Sequence, residues 1–184
     1  SLRAAIDRLR AEGATSIVLD LRRNTGGLLD QGMSVADLFL DRRQLVLETR
    51  GRSPEQSQVF RATREDQYPG LKIALLISQR SASATEIVAG ALQDHDRAVL
   101  IGETSFGKGS VQTLYELPGR NILKLTTARW YTPSGRSIQK PYGIGSSTVA
   151  MTTGPDGEVR VVPDEARSAE EKVDEDVPVY RTDS

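Results

Sequence analysis

Three residues within Ser78–Gln112 have the types and spacing that chemistry would need. Ser83 opens a helical pattern, Lys108 lies 25 residues further on in a glycine-flanked loop, and Gln112 stands four residues beyond the lysine. A hydroxyl at a strand–helix junction sits where backbone N–H groups point out unpaired. It can therefore attack a carbonyl while nearby amides hold the oxyanion. Such a serine needs a base. His95 is the only histidine, and a helix rising ~1.5 Å per residue puts it about 18 Å from Ser83. A Ser-His-Asp triad is thereby excluded, and His95 reads as a surface or helix-terminal residue. Lys108 remains. A lysine acts as general base only when desolvation holds it neutral, and Gln112 could orient the amine without adding charge. If Ser110 begins a strand, then Lys108, Ser110 and Gln112 share a parity and one face.

Each candidate also has a local explanation. Ser83-Ala84-Thr85-Glu86 is a capping box, with Glu86 reaching back to the serine amide. Lys108 by itself is a solvated loop lysine. The run GETSFGKG has nearly the phosphate-loop spacing. However, Gly109 stands where a magnesium-binding hydroxyl belongs and a strand follows where a helix is needed, so nucleotide binding is not expected. Asn24-Thr25-Gly26-Gly27 joins another strand end to a helix start. It is a turn in its own right, and beside Ser83 it would offer a second amide to one oxyanion.

The elements that must position these residues follow from periodicity. Ser1 caps a helix over Leu2–Ala11, and Gly13 stops it. Ser16–Leu21, Lys72–Ile77 and Ala98–Ile101 read as three buried strands. Helices are expected from Leu28 to about Leu40 and from Ala84 to Asp94. Gln44–Arg50 pairs with Gln58–Thr63, and Ser110–Leu117 pairs with Ile122–Thr132 across a Pro-Gly turn. Strand, glycine turn and helix in alternation indicate an α/β fold. Residues 1–141 are expected to form the core. Residues 142–184 are expected to hold a hairpin over Val149–Thr152 and Glu158–Val162, then an acidic linker or tail at 164–176.

Composition narrows the classes. A chain of 184 residues that is 38% hydrophobic can bury one good core. Its net charge of −1 gives no electrostatic case for nucleic acid or an anionic membrane. With no cysteine, disulfides, thiol catalysis and cysteine-ligated zinc are excluded.

Taken together, these segments resemble the carboxy-terminal processing, or tail-specific, proteases. The resemblance rests on LDLRRNTGG at Leu19–Gly27, SASATEIVAGALQD at Ser81–Asp94, GETSFGKGSVQ at Gly102–Gln112 and, more weakly, TPSGRSIQ at Thr132–Gln139. It implies Ser83 as nucleophile, Lys108 as general base and Gln112 as the residue orienting the lysine. It also implies an oxyanion hole from the Ala84 amide and a glycine amide of the Gly26-Gly27 pair, Gly26 being favoured. Thr85 stands where the family often has another serine. The implied fold is a crotonase-like, Clp-protease-like α/β spiral. Also implied are extracytoplasmic action, protein substrates with apolar, unstructured C-termini, and no metal or cofactor. The family usually carries a PDZ domain, and this stretch is expected to lack both that domain and the strand before the first helix. Two other functions are carried alongside. One is a non-catalytic peptide-binding module; the other is an acyl-CoA hydratase-type enzyme using oxyanion donors without a Ser–Lys pair.

Overall fold

The computed structural model describes residues 1–119 and 121–140, with the strands at 150–153 and 159–162. The chain divides into two units, Ser1–Pro141 and Tyr142–Ser184. In the second, Ala150–Thr153 and Val159–Val162 pair as an antiparallel ladder. The acidic stretch 164–176 lies outside the described residues.

The first unit is α/β, as its alternating patterns predict. Helix α1 (Leu2–Ala11) is capped by the Ser1 side chain, which accepts from the Ala4 amide at 3.4 Å. Strands β1 (Ser16–Asp20), β4 (Lys72–Ile77) and β5 (Val99–Gly102) form a parallel sheet in the order β1-β4-β5. Ser16 pairs with Lys72 and Ala74 with Val99. A second, antiparallel sheet has the order β3-β2-β7-β6. Its strands are β2 (Leu45–Gly51), β3 (Gln58–Arg61), β6 (Ser110–Leu117) and β7 (Asn121–Tyr131). Helix α2 is shorter than the periodicity suggests, Leu29–Ala36, because the chain turns from Asp37 while its apolar residues continue into the core.

The core is built around helix α3 (Ala84–Asp94). Every residue from Ala84 to Leu92 is buried, and the helix packs against α2, β2 and β5. Phe39, Leu40, Leu47, Leu75, Ile87 and Leu92 are nearly sealed, each stabilising the fold by roughly 1.5–3 kcal/mol. Two strands differ from expectation. Ser16–Leu21 and Ala98–Ile101 read as buried on both faces, yet Val18 is 67% exposed and Val99 65% exposed. The reason is layering: Ile17, Ile73 and Leu75 face the core, while the opposite face is only partly covered, with Ala74 and Leu76 of β4 half-buried and Val18, Val99 and Ile101 of the flanking strands exposed. Apolar composition alone does not distinguish a covered face from an open one.

Candidate active site

The parallel pairing of β1 and β4 brings the two strand–helix junctions side by side. The Ala82 N–H donates to the Asn24 carbonyl at 3.2 Å. A Cβ on Gly26 would lie 2.5 Å from the Ala82 carbonyl oxygen and 2.9 Å from the Ala84 nitrogen. Gly26 also has φ +92°, so only glycine fits there without strain. Leu19–Gly27 and Ser81–Asp94 thus meet at their most constrained positions.

Ser83 stands at that meeting point, 8% exposed, with φ 58° and ψ −123°. An L-residue with positive φ costs on the order of 1–3 kcal/mol and persists only where surrounding contacts enforce it. Here they do. The Ser83 N–H donates to Glu86 Oε2 at 2.7 Å, while the Ser83 carbonyl accepts from the Glu86 N–H at 2.8 Å.

Glu86 does more than cap the helix. Its carboxylate is 5% exposed and also accepts from the Lys108 N–H on Oε2 at 2.9 Å. On Oε1 it accepts from the Gly107 N–H at 2.6 Å and the Ser105 hydroxyl at 2.7 Å. Four donors on two oxygens satisfy a buried carboxylate. One oxygen is shared by the amides of Ser83 and Lys108, which tie residues 25 apart in sequence to a single atom. The local pattern shows this glutamate at the third helical position. It gives no sign that the lysine loop would arrive at the same carboxylate.

The loop is pinned from other sides as well. The Phe106 N–H donates to the Ser81 carbonyl at 2.9 Å, the Gly109 N–H to Gln139 Oε1 at 3.1 Å, and the Lys140 N–H to the Gly107 carbonyl at 3.1 Å. A Cβ on Gly107 would fall 2.4 Å from Lys140 Cγ. This glycine therefore serves close approach by the segment after Thr132-Pro133-Ser134-Gly135.

The backbones of Ser83 and Lys108 are thus joined, but their side chains are not. Lys108 and Gln112 are both exposed. Among the described residues, the Lys108 amine makes no hydrogen bond to Ser83 or Gln112. The desolvation expected of Lys108 is absent in this state, because the loop is held by its amides and leaves the side chain on the open side. Gly26, expected as an oxyanion donor, gives its N–H to Asn24 Oδ1 at 2.9 Å. Among the described residues the Ala84 and Gly27 N–H groups have no protein acceptor. His95 is far from this chemistry: its Nε2 lies 2.7 Å from the Leu45 carbonyl and ties the end of α3 to β2.

Two cavities flank the junctions. An apolar one of about 310 Å³ is lined by Leu19, Leu21, Gly26, Leu28, Ala84 and Val88 among others. A polar one of about 960 Å³ includes Asp20, Arg22, Asn24 and Arg80. In the latter, Arg22 holds Asp20 through bonds of 2.9 and 2.7 Å. Those side-chain bonds, with the Arg22 backbone N–H, lower the Asp20 carboxyl to about 2.

Residues 1–148 match the model of peptidase family S41. The chain is 52% identical over 148 residues to a carboxy-terminal-processing protease of Bartonella bacilliformis, covering 78% of this chain and 33% of that protein. It is 40% identical over 138 residues to a carboxyl-terminal-processing protease of Picosynechococcus, covering 74% of this chain and 32% of the relative. Among solved structures, a photosystem II D1 C-terminal processing protease superposes with TM-score 0.66 at 31% identity, over 75% of this chain and 35% of that one. Mature CPAF, at 14% identity and TM-score 0.59 over 74% of this chain and 39% of its own, shares the fold. The chain spans about a third of the length of the relatives it matches. With a family match over residues 1–148 and a relative 52% identical, this chain belongs to peptidase family S41, the carboxy-terminal processing serine proteases.

Proposed function

We propose that the chain carries the serine endopeptidase site of a protease acting on proteins near apolar, unstructured C-termini. Ser83 Oγ attacks the scissile carbonyl, and Lys108 takes its proton and passes it to the leaving amine. Water then hydrolyses the acyl-enzyme. Gln112 orients the lysine amine. The Ala84 amide and one amide of the Gly26-Gly27 pair hold the oxyanion. Gly26 would have to release Asn24 Oδ1 to serve, whereas among the described residues the Gly27 N–H has no such bond to give up. A peptide lying across Ser83 would strip water from the exposed lysine, consistent with catalytic contacts that tighten only once substrate is bound. The apolar cavity beside Ala84 suits an apolar side chain of that peptide. Relatives include a chloroplastic peptidase of Arabidopsis thaliana, which supports an extracytoplasmic site of action.

The observation that carries this reading is the Glu86 carboxylate shared by the Ser83 and Lys108 amides. Nucleophile and base are thereby held to one anchor. The test is turnover of an apolar-tailed protein by the parent chain and by Ser83→Ala and Lys108→Ala, with folding followed by circular dichroism. Both variants should fold and lose nearly all cleavage, and parent turnover should climb with pH because only an uncharged amine accepts the proton. Comparable cleavage by Lys108→Ala would refute the mechanism. One observation favours a second reading, a non-catalytic peptide-binding module: the Lys108 amine is exposed and does not bond Ser83. A serine-directed acylating probe separates the two, since a module would bind peptide without labelling at Ser83.

A further inference from the structure

We infer that the arginine cleft at the carboxyl ends of β1 and β4 is a subsite for a carboxylate on the bound peptide, an acidic side chain or a free C-terminus. This deepens the protease reading and rests on it.

The cleft unites residues that the sequence keeps apart. Arg22 and Arg23 follow β1, Arg80 follows β4, and the parallel pairing of the two strands sets them around one opening of about 960 Å³. Crevices at the carboxyl ends of parallel strands are where open α/β sheets receive ligands. Ser78 fixes the two loops to each other: its hydroxyl donates to the Arg22 carbonyl and accepts from the Arg80 N–H at 3.2 Å.

The charge there is unbalanced. Of the lining residues only Asp20 is acidic, against three arginines, although the chain as a whole carries −1. Asp20 is already engaged, because Arg22 binds it through both its Nε and its terminal nitrogen. Arg23 and Arg80 have no carboxylate partner among the described residues. Two exposed guanidinium groups facing one open cleft present forks that match a carboxylate, and their joint field draws an anion toward it.

The cleft is also placed for substrate. Asn24 lines both this cleft and the apolar cavity, and Ser83 follows Arg80 by three residues. A peptide with an apolar side chain beside Ala84 therefore has the arginines within a few residues of its scissile bond.

The test uses Ser83→Ala protein and isothermal titration calorimetry, so no chemistry is needed to read it. One peptide pair differs by Glu against Gln near an apolar stretch, both with amidated C-termini. A second pair lacks acidic side chains and differs by free acid against amide. The carboxylate member of at least one pair should bind about tenfold tighter, the sum expected of two exposed ion pairs, and the preference should shrink as salt rises. Adding Arg23→Ala and Arg80→Ala should bring that ratio near one, while a charge-matched Arg8→Ala, Arg52→Ala protein should keep it. Preference within the first pair assigns the acidic side chain; preference within the second assigns the C-terminus. Absence of preference in both pairs, or its survival without Arg23 and Arg80, overturns the inference. Should the parent chain cleave none of these peptides, the protease reading fails by itself, and the calorimetric ratio still decides the subsite.

Discussion

The two halves of the candidate site are held very differently. Ser83 itself is buried on a constrained backbone: Glu86 closes its strained turn, and Gly26 is wedged against Ala82 and Ala84. Around Lys108 the backbone is equally fixed, yet the side chain stands in solvent beside an exposed Gln112. The fold thus fixes the backbone of the proposed nucleophile and the path of the lysine loop, and under the proposed mechanism the exposed amine is left for a bound peptide to cover. Removing an anchor should cost stability and activity together. Removing the amine should cost activity alone.

That contrast is most directly broken at Lys108. Lys108→Ala should lower kcat about 10³-fold, within the range for loss of a general base, with a thermal midpoint equal to the parent's. A midpoint that falls in step with activity would place the lysine among the anchors instead. Glu86→Gln comes next. Its amide nitrogen would face N–H groups where an oxygen now accepts, which should destabilise the fold by about 3 kcal/mol and slow turnover as Ser83 and Lys108 drift apart. Denaturant unfolding and kinetics on the same protein would check both, and intact activity in a destabilised protein would show that the clamp is structural only. Gly26→Ala should cost about 2 kcal/mol, because its Cβ meets backbone at 2.5 Å at a positive φ. Here acylation of Ser83 should slow along with the loss of stability.

The smallest effect is expected at the far end of α3. Burial raises the Asp94 carboxyl, but bonds from Thr132, Ser134 and Arg136 outweigh it and leave the group below its ordinary value. A depressed folded pKa gives stability that is present above the unfolded value, near 3.9, and lost as pH falls below it. Asp94→Asn should therefore cost about 1 kcal/mol at neutral pH, and parent and variant should converge in acid-unfolding curves. Because Asp94 touches neither half of the site, unchanged turnover in this variant would sharpen the comparison.

Much of the site was legible without coordinates. The spacing of Ser83, Lys108 and Gln112 and the distance of His95 are matters of one-dimensional order, and the resemblance over residues 1–140 rested on three ordered motifs. The position of Gly26 could be guessed, since two strand–helix junctions in one sheet tend to lie together. What escaped was any second task of a residue with an adequate local one. Glu86 reads as a helix cap, and only the arrival of Ser105, Gly107 and Lys108 shows that it also holds the loop. The reading of Ser16–Leu21 and Ala98–Ile101 as buried strands failed for a related reason, because a run of apolar residues does not report which face a neighbouring layer covers.

Order along the chain, set by periodicity, glycine placement and motif spacing, determined the α/β elements and singled out the candidate nucleophile and base. The pairings of β1 with β4 and of β4 with β5 decided the rest. The first brings two distant turns to one point and gathers three arginines around a single cleft, and the second delivers the loop after β5 so that four donors meet on the Glu86 carboxylate. The physical reason is that a hydrogen bond or an ion pair acts over a few ångströms of space, whereas separation along the sequence does not fix distance in the fold.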